Sequence, residues 1–414
     1  MSRLLPRLRT NLEFLPSPMP DRPGLLIRDA FAYSDVSLII PPALVECLTC
    51  FDGMQTDLDL RALLVRMTGD LRSGEAGEHL FQALQQAGFL EDEHYEALKQ
   101  RKHREFQESP FRPSILAGRS YPDEPAELRA QLDSYFRDGD APAPEAGLAG
   151  IAAPHVSLDG GYACYRSAYQ ALPANFLGRV FVILGTSHYG APETFGLTRK
   201  PFRTPLGDAV TEARLAEELA AKGGPAAQME DYCHSIEHSI EFQVLALQHK
   251  YGAGVRILPV LCGPYARSLH QGGKPEDDPG VAQFLDALRE IAAREGERLA
   301  FVIGVDMAHI GRRYGDGFSA TARQGRMTEV ERLDRERIAR IEAGDADGFW
   351  ELVQKDQDPL HWCGSSALYT FLRVRPQARG RLLRYEQWNI DPQSVVSFAA
   401  LAFHDAAQAA NTLK

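Results

Sequence analysis

A chain of 414 residues is too long for one ordinary core, and 44% hydrophobic residues supply ample material for two. Forty-five Lys and Arg against 56 Asp and Glu leave a net charge of −11, which argues against broad nucleic-acid binding, a use that needs a basic face. No run approaches the ~18 apolar residues of a membrane span, and MSRLLPRLRTNLEFLP lacks the features of a signal peptide, so the expected setting is cytoplasmic.

In chain order, residues 24–95 read as a small module. LLIRD and VSLII predict a β-hairpin, with Tyr33 to Asp35 near its turn, and PPALVECLTCFDG, DLDLRALLVRMTG and EHLFQALQQAGFL predict three short amphipathic helices. A strand pair with three helices is the pattern of a winged helix. Residues 96–112 are highly charged and nearly free of core residues, and are read as an exposed helix and linker. From residue 113 the character changes. A helix around Leu128, Leu132 and Phe136 and the turn-rich DGDAPAPEAG lead into alternating apolar strands (148–153, 179–184, 255–261, 299–305) and helices (163–172, 211–221, 235–249, 281–294, 327–343, 346–354). Two late β runs, RLLRYEQ and VVSFAALAFH, follow. Alternation of this kind predicts an α/β fold with a central sheet and helices on both faces, here over residues 113–414.

Chemistry-bearing residues collect just beyond the strands. LAGIAAP leads to His155, RVFVILGTS to His188, and LAFVIGV to Asp306 with His309 three residues on. In an open α/β sheet the functional crevice lies beyond the carboxyl ends of the strands, so these residues are expected to meet there. The loop VSLDGGY after His155 reads as glycine-rich enough for a ligand to approach the backbone. Asp306 is expected to orient His309, which suits proton transfer. CHSIEHSIEF spaces His234 and His238, and Glu237 and Glu241, four apart, as on a helix face. Cys363–Gly364 opens an apolar helix, where a thiol is acidified, while the Cys47/Cys50 pair falls on an apolar helix side and reads as core. The six cysteines form no disulfide framework.

AGRSYPDEPAELRAQLDSYF, IAAPH, VFVILGTSHYG, FRTPLGD, EHSIEFQV, RILPVLCG, VDMAHIG, Cys363–Gly364 and SVVSFAALAFH, in this order, resemble the MEMO family, whose bacterial and archaeal members are called AmmeMemoRadiSam system protein B. The resemblance runs from about Ile115 to His404. It implies a fold like that of class III extradiol ring-cleaving dioxygenases and a metal held by His155, His188 and Cys363. Asp306 and His309 become the acid–base residues; the spacing in CHSIEHSIEF, by contrast, reads His238 and Glu241 as structural or as support behind the ligands. Two imidazoles and a soft thiolate suit Fe(II) first and copper second, better than magnesium or calcium. This sequence departs from the family in PHVSLDGGY for PHAGY, His188–Tyr189 for a double histidine, and Val305 for Ser. The first module is similar to PqqD-type winged-helix modules that bind peptides by strand addition, so a peptide or partner protein is expected there. The resemblance implies a metal-dependent, dioxygenase-like oxidoreductase acting on a small or peptide substrate. The alternative is a non-catalytic adaptor working with AMMECR1-domain and radical-SAM proteins, and a cysteine hydrolase built on Cys363 and His309 stands third.

Overall fold

The structure is a computed structural model that describes residues 2–70, 72, 74–137 and 147–405, so most of the DGDAPAPEAG connector lies outside the described residues. The chain divides into two compact units, Met1–Ser109 and Pro110–Lys414. No helix among the described residues is long and apolar enough to cross a membrane.

The first unit holds an antiparallel sheet of β1 (Leu12–Pro16), β2 (Leu25–Asp29) and β3 (Ser37–Ile40), in that spatial order. The expected hairpin is β2 with β3; LEFLP adds a third strand on the other side of β2. A helical turn Pro42–Val45 runs into a tighter turn Glu46–Cys50, and α1 (Asp57–Thr68) and α2 (Gly74–Gln86) follow. α1 starts at a capping box of Thr56 and Asp59 and stops at Gly69, whose φ of 71° suits glycine. Cys47 and Cys50 are buried in the core of this unit. The unit takes in more chain than residues 24–95: Leu5 and Leu12 join its core, and buried Arg9 pairs with Asp29 at 2.9 Å and donates to the Gly88 carbonyl at 2.9 Å. The charged stretch expected as a linker forms α3 (Glu93–Glu108), started by Asp92 and burying Phe106. A helix that buries one residue carries almost no apolar period, which is why its sequence reads as solvent-facing.

The second unit is built on a 12-stranded sheet. Its centre is four parallel neighbours, β5 (Leu148–Ala153), β12 (Leu299–Gly304), β6 (Val180–Thr186) and β11 (Arg256–Cys262), in that spatial order. These strands are buried along nearly their whole length, as continuous apolar runs require. On one flank β15 (Ser394–Asp405) lies antiparallel to β5 and pairs with β13 (His309–Gly311) and β14 (Ala378–Asp391). On the other flank β9 (Gly207–Thr211), β8 (Phe202–Thr204) and β4 (Arg112–Pro113) continue the order, while β7 (Phe195–Leu197) pairs with β11 and β10 (Ala227–Met229).

Both faces are covered, as expected. Val180, Val182 and Leu184 pack with α6 (Ala213–Lys222), α8 (Pro279–Glu295), α9 (Arg326–Glu342), α10 (Ala346–Gln354) and α11 (Ser365–Val374). Phe181 and Ile183 point to the opposite face, against α4 (Pro125–Phe136), α5 (Leu158–Ala171) and α7 (Glu241–Tyr251). The period-2 alternation along β6 thus feeds two cores.

Arg112 ties the start of this unit to its interior. Its guanidinium pairs with Glu241 and donates to the backbone carbonyls of His234 at 2.8 Å and Glu237 at 2.6 Å. Glu241 also accepts from Tyr121 and from the N–H groups of Ile115 and Leu116. Arg112→Met leaves that carboxylate buried without its cation, so the unfolding transition of the second unit is expected to lose about 3–5 kcal/mol in a urea titration. Adding Glu241→Gln should recover much of it.

Candidate functional site

The strand register assembles the site. Gly304 lies beside Ala153 on one side and Gly185 on the other, so the chain leaves the sheet at nearly one level. His155 and Asp306 follow two residues after the ends of β5 and β12, and His188 two residues after the end of β6. Cys363 arrives from the other direction, just before α11. Gly364 allows this approach: a Cβ there would meet the Val305 Cβ at 2.5 Å and the Asp306 carbonyl oxygen at 2.7 Å. Thr186 donates to the Cys363 carbonyl at 3.1 Å, and the Gly364 N–H donates to the Asp306 carbonyl at 3.1 Å.

Three imidazoles converge. Ligand-capable nitrogens of His155, His188 and His238 lie within 4.8 Å of one another. The His188 and His238 rings are stacked at 5.1 Å, and His155 stands edge-on to both. His155 is buried, whereas the His188 side chain is 30% exposed, so the cluster opens to solvent on that side. Each Nδ1 already has an acceptor. His155 donates to the Gly304 carbonyl at 3.0 Å, and Glu237 takes Nδ1 of His188 at 3.0 Å and of His238 at 3.2 Å. The nitrogens left for the pocket are therefore the three Nε2 atoms, the arrangement found where imidazoles hold a metal. The Cys363 sulfur completes the set, 3.3 Å from His155 Nε2.

Charge is redistributed accordingly. Burial alone would lower the pKa of His155, but Asp306 and Cys363 outweigh it and lift the group to about 9. Burial likewise opposes charge on His188, and Glu237 overrides it and raises that pKa well above the usual value. Burial would raise the Cys363 thiol, yet His155 and His309 bring it well below its ordinary range. The two shifts run in opposite directions, so His155 and Cys363, 3.3 Å apart, each favour the other's charged form.

Several sequence expectations are relocated. His234 and His238 do not share a helix face: His234 lies in a short turn, Tyr232–Ser235, bonded to the Gly196 carbonyl at 3.0 Å, and α7 begins only at Glu241. His238, expected behind the ligands, is in the cluster itself. Glu241, expected beside it, is committed to Arg112. Glu237 does the backing, and its carboxylate also accepts from the N–H groups of His188, His238 and Ser239 at 2.7–3.0 Å. Asp306 does not orient His309. The residues after β12 are not helical, and the Asp306 carboxylate caps the N–H groups of His155 and Val156 at 2.9 and 3.2 Å. His309 is held separately, its Nδ1 donating to the Met307 carbonyl at 2.9 Å, with its charge felt at Cys363. Gly160 and Gly161, read as a ligand loop, lie in the first turn of α5, where a Cβ would strike Trp388 or Val156 at 2.7 Å.

A family described as Memo-like protein matches residues 112–402. The chain belongs to that family. It is 25% identical over 383 residues to a MEMO1 family protein of Aquifex aeolicus, covering 92% of this chain and 96% of that one. It is 27% identical over 308 residues to a MEMO1 family protein of Desulfurococcus amylolyticus, covering 71% and 99%. MEMO1 family protein TK1477 of Thermococcus kodakarensis is 29% identical over 300 residues, covering 70% and 97%. The Aquifex match reaches beyond residues 112–402, so the first unit also has a counterpart there.

Asp334, on α9, was not singled out by the sequence, yet it braces the site from behind. It accepts from the Trp362 indole at 2.7 Å, the Tyr385 hydroxyl at 2.7 Å and the Ser397 hydroxyl at 2.6 Å. Ser397 in turn bonds Met307 and Ala308 at 2.8–2.9 Å, so one carboxyl steadies both the Cys363 and the Asp306–His309 segments. Burial pushes the Asp334 pKa up to about 6. A carboxyl whose pKa rises on folding holds its proton more tightly in the native state. Its stabilisation is complete below about pH 4, is lost as pH climbs to 6, and stays lost above that. A rise from the ordinary 3.8 to about 6 corresponds to about 3 kcal/mol. Urea midpoints for wild type and Asp334→Asn should therefore diverge in the variant's favour between pH 4 and pH 7; parallel curves would contradict this.

Proposed function

We propose that this Memo-like chain is a metal-dependent oxidoreductase, binding one Fe(II), with copper as second choice, through His155, His188 and Cys363. His238 is a third imidazole within reach. The supporting observation is the convergence of ligand-capable nitrogens from three imidazoles with one acidified thiol, every Nδ1 being already engaged. This is a soft nitrogen–sulfur donor set suited to iron or copper. When bound, such a metal supplies Lewis-acid and one-electron chemistry. The chain's own residues do the rest. Asp306 fixes the backbone of His155, Glu237 aims His188 and His238, and His309, with Nδ1 occupied, moves a proton at Nε2. Access from the exposed His188 side favours a small substrate or the end of a peptide.

Protein loaded anaerobically with Fe(II) is expected to carry about one metal per chain, as a single site requires. His155→Ala with His188→Ala should abolish this, and Glu237→Gln should weaken affinity about 10–100-fold while leaving all donors in place. Unchanged occupancy in the double variant would overturn the assignment. An oxygen-electrode trace with catechols and aminophenols then separates enzyme from adaptor, since turnover requires uptake that disappears in His309→Ala.

For the first unit we propose polypeptide binding, by a small peptide or an extension of an AMMECR1-domain or radical-SAM partner. β1 and β3 are edge strands, and no other strand pairs with either among the described residues. Phe14 on β1 and Val36 beside β3 are exposed. Open edges of this kind accept an added strand. Isolated residues 1–109 should bind an extended peptide and not duplex DNA; salt-sensitive DNA binding would argue against it.

A further inference from the structure

A cavity of about 230 Å³ opens beside His188 and Cys363, walled by Tyr265, Leu269, Trp350, Val353 and Trp362. Its polar groups are spent elsewhere. The Trp350 indole donates to Ser268 and the Trp362 indole to Asp334, both at 2.7 Å, and the Tyr265 hydroxyl meets Thr370 at 2.6 Å. Thr186, Ser365 and Ser366 each donate to a backbone carbonyl at 2.9–3.3 Å. Asp358 is paired with Arg337 at 2.7 Å. Of these hydroxyls and indoles, only the buried Ser187 hydroxyl has no oxygen or nitrogen partner; it lies against the Cys233 thiol.

Such a wall offers dispersion contacts and almost nothing for a charge. Away from His188 and Ser187, a carboxylate or phosphate set against that wall would shed its water with no counter-ion and no free donors to replace it. The room is right for a ring, since a dry apolar cavity of about 150 Å³ holds benzene. The aromatic walls can contact a flat guest edge-on or offset. We propose that this cavity binds the uncharged, ring-sized apolar portion of a ligand whose polar end reaches His188 and Cys363. The direction of the polar end rests on the metal-site reading above; the nature of the buried end does not.

Toluene and benzoate serve as probes on the full chain, metal-free and Fe(II)-loaded, with tryptophan fluorescence as the binding signal. Cys363 is the one cysteine of six that is not buried, so its alkylation by iodoacetamide gives a second, local readout. Toluene is expected to bind saturably, more tightly than benzoate, and to slow alkylation of Cys363. Val353→Phe and Leu269→Phe each fill the space and should weaken toluene by roughly tenfold or more, leaving metal occupancy unchanged. Preferential binding of benzoate, toluene binding indifferent to both fillings, or unaltered Cys363 alkylation would each overturn the proposal. Protection by toluene in a protein that takes up no metal would uphold the cavity and defeat the metal-site reading. Metal uptake without toluene binding would do the reverse.

Discussion

One buried carboxylate organises the candidate site. Glu237 receives three backbone N–H groups and two imidazole nitrogens. Burial alone would protonate this side chain; His188 and His238 reverse that and hold its pKa well below the usual carboxylate range. The consequence is geometric. Two rings from different segments are forced parallel, with the same nitrogen turned to the same space. Removing a partner would leave a buried charge uncompensated, so the arrangement defends itself energetically. His155 needs a different device because it enters from β5, and the Gly304 carbonyl at the end of the neighbouring strand provides it.

The sheet makes this possible because parallel strands in register end together. His155, Asp306 and His188 come from positions spread over 150 residues of chain, yet each follows its strand by two residues, and the three strands are immediate neighbours. That much was legible in the sequence, since continuous Val, Ile, Leu and Phe runs ending in a polar residue have few other readings. Cys363 was legible too, as a Cys–Gly pair opening an apolar helix where a thiol is acidified; the structure adds that the glycine is needed on steric grounds.

What escaped the sequence did so for several reasons. Glu237 and Glu241 have the same spacing to a histidine and the same side chain, and periodicity assumed a helix through both. The helix begins at Glu241, so Glu237 sits in the non-helical stretch before it, where its carboxylate can fold over the next two N–H groups of its own backbone, while Glu241 faces Arg112. Strand β1 was missed because LEFLP carries a proline and little alternation. The short strands β4, β7, β8 and β10 have two or three residues each, below the length at which a period can be read. Asp334 was invisible for another reason: it lies in a highly charged helix, and only its burial distinguishes it from its neighbours.

Asp334 also bears on how Cys363 is kept in place. The residues leading to it hold positive φ at Asp356, Gln357, Asp358 and His361, all non-glycine, a conformation that costs energy at each position. A relaxed loop would not adopt it, so tertiary contacts must over-determine the path. They do so twice. Arg337 pairs with Asp358, whose other oxygen takes the Trp362 N–H at 2.7 Å, and Asp334 takes the indole of the same tryptophan. Both anchors come from one buried turn of α9. The cysteine is thus delivered by a stiff, strained arm braced against a helix, while His188 and His238 keep about a third of their side chains exposed to solvent. A site built this way is organised before any cation or substrate arrives, and its open side is set by the histidines rather than by movement of the cysteine.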